Sequence, residues 1–387
     1  MGLDFIDEEL NGLREQGLYR AITGIESPQG PRIKIDGRAV VNLSANNYLG
    51  LADHPKVKKA AIKALQKYGA GAGASRLVSG DMAPHRELEA CLARFKGSEA
   101  ALLFNSGYHA NLGIITALVG RGDVICSDRL NHASIIDAAI LSRAALKRYP
   151  HCDVDTLERL LMEHRQSRRK LIVTDGLFSM DGDIAPLKEI ARLAESYDAI
   201  LMVDDAHATG TLGKHGRGSL EHHGIKSEKI IQMGTLGKAV GSFGGFVAGP
   251  KTLIDYLINK ARPFVFTTAL PPSVCAASTA ALEIITEEPE LVAALQERAV
   301  FMRKALNDAG LDTMTGESHI IPLLIGDPKK AVTVSRKLLK EGLYVQAIRP
   351  PTVPEGTSRL RLTVMASHTI EELGRAVTTI TRIVLDD

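Results

Sequence analysis

Lys238 lies in residues 230–249, IIQMGTLGKAVGSFGGFVAG, among Gly, Ala, Thr and Ser and with no acid beside it. An ammonium in a close-packed, partly dehydrated place loses some of its preference for charge, and the neutral amine is the form that attacks a carbonyl to make a Schiff base. In a solvated loop the same lysine would be only a surface charge, so its partners decide the matter. Asp204-Asp205-Ala206-His207 follows the continuously apolar run 200–203. A carboxylate there could keep a pyridine nitrogen protonated, so that the ring withdraws electrons. Either Asp204 or Asp205 could serve, and Asp204 is preferred because it directly follows the apolar run. His207 could reach a phenolic oxygen, while His132 could lie flat on a ring face or merely cap a helix. Ser106, Gly107 and Tyr108 at a helix start, with Thr235 just before the lysine, offer N–H and O–H donors to a phosphate. Taken together these residue types match one cofactor, pyridoxal 5'-phosphate (PLP).

Positioning such groups is the task of alternating strands and helices. The runs 101–104, 124–126, 171–174 and 200–203 are predicted strands. The last is apolar throughout rather than alternating, the mark of a parallel strand covered on both faces by helices. Helices are expected over 84–96, from 105–109 to about 119, from 131–134 onward, and over 186–197. In such sheets ligands gather at the carboxyl ends of the strands. Ser106, His132, Ser179, Asp204, His207 and Lys238 all fall at or just past those ends.

Before this region come an expected helix over 5–19 and a hairpin over 32–43 turning at Asp36-Gly37, then a loop and a helix over 55–68. The glycine-rich stretch 69–80 reads as a flexible turn. Past residue 272 a long helical region is split by Pro289, since proline is tolerated at a helix start but not in its interior. Strands at 318–325, 344–348 and 360–364 and helices at 329–341 and 370–383 follow. The expected organisation is an N-terminal arm, 1–45, packing with a small C-terminal α+β domain, 281–387, and a large α/β domain, 46–280, that binds the cofactor.

Composition narrows the choice of partners. With 47 Lys and Arg against 45 Asp and Glu, the 387-residue chain carries a net charge of +2, and charges of both signs are interspersed. That gives no basis for binding nucleic acid or an anionic membrane. Aromatic residues make up 4% and Trp is absent, against a stacking platform for single strands. The four cysteines are scattered with no CxxC or Cys/His ligand spacing, so no metal site is expected and a reducing cytoplasm is. Neither a signal peptide nor an apolar run long enough to span a bilayer is evident.

Several motifs in a fixed order carry a family resemblance: Asn46-Asn47-Tyr48-Leu49-Gly50, Gly73-Ala74-Ser75-Arg76, Asn131-His132-Ala133-Ser134, Phe178-Ser179-Met180-Asp181-Gly182-Asp183, Asp204-Asp205-Ala206-His207, Gly234-Thr235-Leu236-Gly237-Lys238 and Ile348-Arg349-Pro350-Pro351-Thr352-Val353-Pro354. Over essentially its whole length the chain resembles the α-oxoamine synthases, PLP enzymes of the aspartate-aminotransferase fold (fold type I) that condense an amino acid with an acyl thioester and lose CO2. Asp204-Asp205-Ala206-His207-Ala208-Thr209-Gly210 and the stretch 348–354 look most like members that join L-alanine to a pimeloyl thioester, on CoA or a carrier protein, in biotin synthesis. A close relative instead joins glycine to acetyl-CoA. A non-catalytic subunit of the same fold would be expected to lack the lysine or its aspartate, and both are present.

The resemblance implies that Lys238 carries the cofactor and acts as base at the amino acid's Cα, that Asp204 pairs with the pyridinium and that His132 stacks on the ring. It implies further that His207 and Ser179 hold the phenolic-oxygen region, that Arg349 clamps the substrate carboxylate, and that Arg20, Asn47 and Thr352 contact the acyl substrate. Tyr108 stands where many relatives have Phe, and a phenol should stack equally well. A homodimer with shared active sites is also implied, with Thr267 and Thr268 as candidates to reach a neighbour's phosphate.

Overall fold

The computed structural model describes residues 2–385; Met1, Asp386 and Asp387, counted above in the arm and the C-terminal domain, lie outside the described residues. The chain forms two compact units. Of the described residues, one comprises 51–179 and 184–293, the other 2–50, 180–183 and 294–385.

The first unit is built on a seven-stranded sheet. Its spatial order is Ala100–Phe104, Gly245–Gly249, Ile231–Thr235, Ile200–Asp204, Lys170–Asp175, Val124–Asp128, Ala145–Tyr149. All pairings are parallel except the two made by Gly245–Gly249, which runs against both neighbours. The central strands are buried along their length, apart from the partly buried Ile200 at the start of its strand, as their continuous hydrophobicity requires. Successive side chains alternate between faces. Leu171, Val173 and Met202 therefore pack with Ile114 and Ala138 of the helices Gly107–Leu118 and Ala133–Ser142. Ile172, Leu201 and Val203 pack on the other side with Leu157, Ile190 and Leu193. The same alternation turns Asp175 and Asp204 toward the first pair of helices. These two acids are register partners at adjacent strand ends.

In the other unit the hairpin Arg32–Ile35 and Arg38–Asn42 turns through Asp36 and Gly37, both at positive φ, and is extended by Leu343–Tyr344. A second small sheet, Ile320–Gly326, Ser358–Thr363 and Gln346–Ile348, is antiparallel throughout. The expected leading helix ends early, at Glu15, because Gly17 adopts a left-handed φ of 70°. The long C-terminal helical region divides into Pro272–Glu287 and Glu290–Asp308, with the break at Pro289. Among the described residues no helix is long and apolar enough to cross a membrane.

Candidate active site

A cavity of about 190 Å³ opens at the carboxyl ends of the strands and is lined by Gly107, Tyr108, Asn111, His132, Asp175, Asp204, His207, Thr235 and Lys238, among others. Every one of these residues belongs to the seven-stranded unit. Asp204 closes the apolar run of its strand and is 3% exposed. Its Oδ2 accepts from Asn111 Nδ2 at 2.8 Å and its Oδ1 from the Ala206 N–H at 2.9 Å. The carboxylate is thereby fixed in orientation. Asp205 points the other way, forming a fully buried ion pair with Lys96 at 2.8 Å and accepting a hydrogen bond from the Ser219 hydroxyl. Of the two acids, Asp204 lines the cavity and Asp205 does not.

Lys238 Nζ stands 2.7 Å from His207 Nε2, within hydrogen-bond distance. His132 is the N-cap of its helix and also lines the cavity. Its Nδ1 accepts from the Ser134 N–H at 3.2 Å and meets the Ser134 hydroxyl at 2.8 Å, which leaves Nε2 as the protonated nitrogen. Dehydration holds its pKa below the ordinary histidine value; the Asp204 charge opposes this and the Lys238 charge adds to it. The imidazole is thus neutral, the state suited to lying against an aromatic ring.

Ser106 caps the helix Gly107–Leu118, its hydroxyl accepting from the His109 N–H at 3.2 Å. The first turn of that helix presents free N–H groups and the positive end of the dipole. A Cβ on Gly107 would stand 3.3 Å from the flexible end of Met233, a contact that side chain can relieve, whereas a Cβ on Gly245 would come within 2.5 Å of the Ser106 backbone carbonyl. Thr235 Oγ1 donates to the Gly244 carbonyl at 2.9 Å and accepts from the Gly237 N–H. Tyr108 donates to Asp137 at 2.6 Å, a bond that holds its phenol protonated above the ordinary value. Ser106 and Ser179 are not among the residues facing the cavity; Ser179 is half-buried in the loop after Lys170–Asp175.

Two groups in the wall were passed over by the reading of the sequence. Asn111 lies one helical turn after Gly107 and bridges Asp204 and Ser134. Asp175 is fully buried with Oδ1 unpartnered, and burial, reinforced by the Asp204 charge and opposed by Lys238, pushes its pKa well above the usual carboxylate value. It ends an apolar run just as Asp204 does, so the same rule would have found it.

Arg20, Asn47, Arg349 and Thr352 belong to the other unit. Arg349 donates to the carbonyls of Gly17 and, at 3.3 Å, Tyr19. Arg20 Nη2 donates to Thr352 Oγ1 at 3.1 Å. Asn47 is 7% exposed, with Nδ2 3.4 Å from the Gln29 carbonyl. In the seven-stranded unit, Thr267 and the Thr268 carbonyl are bound by Asn105 Nδ2, at 2.9 and 3.0 Å.

The donor set of the cavity fits PLP: a lysine amine, an oriented carboxylate, a neutral imidazole, and a helix N-terminus whose glycine admits a close anion. The comparisons agree. The family model for class I and II aminotransferases matches residues 38–380. The chain is 57% identical to 8-amino-7-oxononanoate synthase of Geobacter sulfurreducens, over 97% of this chain and 96% of that protein. It is 52% identical to the synthase of the same name from Symbiobacterium thermophilum, over 97% and 96%. Serine palmitoyltransferase from S. paucimobilis, solved with a bound PLP-myriocin aldimine, superposes with a TM-score of 0.93 at 33% identity, covering 99% of this chain and 97% of that one. 8-Amino-7-oxononanoate synthase from Francisella tularensis gives a TM-score of 0.78 at 29% identity, covering 90% and 98%. The chain belongs to the class I and II aminotransferase family, as one of its PLP-dependent α-oxoamine synthases.

Proposed function

We propose that this chain is an acyltransferase that condenses L-alanine with a pimeloyl thioester, of CoA or of a carrier protein, releasing CO2, free thiol and 8-amino-7-oxononanoate for biotin synthesis. The observation that carries this is the 57% identity, over nearly the whole of both chains, to a protein named for that product.

PLP, when bound, supplies an electron sink for the charge left at Cα by loss of a proton or of CO2. Asp204, held in orientation by Asn111 and the Ala206 N–H, would pair with the ring nitrogen. Lys238 anchors the cofactor and afterwards takes and returns the proton at the amino acid's Cα, with His207 beside it to share that proton. His132 covers the ring face, and His207 with Ser179 holds the phenolic-oxygen region. The helix start at Ser106, Gly107 and Tyr108, with Thr235, receives the phosphate. Arg349 fixes the amino acid's carboxylate by a bidentate pair, a task for a planar guanidinium rather than an ammonium. Arg20, Asn47 and Thr352 hold the acyl partner. The protein acts in the cytoplasm as a homodimer.

The direct test is a side-by-side assay of L-alanine with pimeloyl-CoA against glycine with acetyl-CoA. The first pair should be turned over with a kcat/KM at least about tenfold higher, a difference of roughly 1.4 kcal/mol in the barrier. Preference for glycine and acetyl-CoA would reject the proposal.

A further inference from the structure

Lys96 ends the helix Ala83–Lys96, and the side chains of Lys96 and Asp205 are both wholly out of water. Lys96 Nζ donates to Asp205 Oδ2 at 2.8 Å and to the Arg217 carbonyl at 2.5 Å. The Ser219 hydroxyl donates to Oδ1 of the same carboxylate, and the Ser219 N–H approaches Oδ2 at 3.2 Å. Glycines stand close on two sides: a Cβ on Gly176 would collide with Asp205 Oδ1, and one on Gly218 with Oδ2. The backbone of Asp205 is tied as firmly. Its N–H donates to the Met233 carbonyl at 2.8 Å, and its carbonyl accepts from the Ala208 and Thr209 N–H groups at 3.1 and 2.8 Å. The turn 205–209 therefore hangs on Asp205. Within that turn the Ala206 N–H holds Asp204 Oδ1, and His207 Nε2 stands 2.7 Å from Lys238 Nζ. All of these residues belong to the seven-stranded unit.

A buried ion pair is a poor source of stability, because dehydrating two charges offsets most of their attraction and an apolar pair of similar volume often does as well. What directed, charge-assisted donors add is a fixed position. We propose that Lys96, acting through Asp205, is a positioning residue for the reaction: it sets the strand-end turn that aims Asp204 and His207 into the cavity. Lys96 does not itself line that cavity. The inference rests on Lys238 holding PLP as a Schiff base.

The test titrates the visible Schiff-base band of PLP-loaded enzyme with pH, since its midpoint reports the charges and hydrogen bonds around Lys238. In Lys96→Met the midpoint should move by more than about 0.3 pH unit from wild type. Its kcat with L-alanine and pimeloyl-CoA should fall by about tenfold, with the KM for L-alanine within about twofold of wild type. A pair that served stability alone would lower the melting temperature and leave the midpoint where it was. Should Lys96→Met fail to fold, Ser219→Ala decides by the same limit, because it takes one donor from Asp205 and leaves the ion pair in place. A midpoint within about 0.3 unit of wild type in the deciding variant would overturn the inference, whatever the melting temperature or turnover. Wild-type enzyme with no such band would reject the cofactor role of Lys238 instead, an outcome visible before any substitution is made.

Discussion

Asp205 lies with Lys96 and Ser219 while Asp204 faces the cavity, because two successive residues leaving a strand cannot point the same way. The apolar run ahead of Asp204 was enough to prefer it from sequence. Asp175 carries the same signature and was passed over, since nothing local says that its strand lies in register with the one that ends in Asp204. Asn111 was likewise hidden: a single amide in an apolar helix declares its role only once the helix is laid over the strand ends. Lys238 could be read as dehydrated from its small neighbours, but the His207 nitrogen 2.7 Å away was visible only as a spacing of 31 residues. Lys238→Ala should lose the visible absorbance of the bound cofactor and at least about a thousandfold in turnover; product formed at the wild-type rate would contradict the role given to the lysine.

The strands that carry the site were legible because burial on both faces writes a continuous apolar run. Ala145–Tyr149 was not, being an edge strand whose sequence, ALKRY, is half polar and mostly not buried. The glycine-rich 69–80 stretch also departed from its reading as a flexible turn. Residues Arg76–Gly80 form a helical turn, with Arg76 held by Asp81 at 2.7 Å and by both oxygens of Glu89 at 2.9 Å. A Cβ on Gly80 would collide with the Ala74 carbonyl, so glycine here permits close packing rather than freedom. One element carries a pH signature. His368 sits in the turn before Ile370–Leu385, its Nδ1 accepting from the Met365 N–H at 2.9 Å, and burial pushes its pKa down to about 4. The folded state therefore resists protonating a group that the unfolded chain protonates near pH 6.5. Its contribution is complete above that pH and is lost as pH falls toward about 4, up to ~3 kcal/mol in all. The melting temperature should drop over this window, and His368→Gln should flatten the drop. An unchanged slope in the variant would show that the histidine is not its source.

At the scale of the whole molecule, the balanced charge and the absence of a basic stripe left small molecules as the natural partners, and the order of motifs along the chain pointed to one family. The contents of the two units were less open to reading. Residues 180–183 fall with the N- and C-terminal segments although the stretches on either side belong to the seven-stranded unit, and Arg359, 2% exposed, donates to Asp181 there. A part-buried pair 178 residues apart in sequence leaves no local trace. The proposed homodimer predicts a light-scattering mass of about two 41.6 kDa chains; a mass of one chain at working concentration would remove it. The central claim is that the carbon–carbon bond is made at the cost of the amino acid's carboxyl group. Given L-alanine labelled with carbon-13 in its carboxyl group and pimeloyl-CoA, the enzyme should release one labelled CO2 for each free thiol and yield unlabelled 8-amino-7-oxononanoate. Label retained in the product, or thiol released without CO2, would contradict the account.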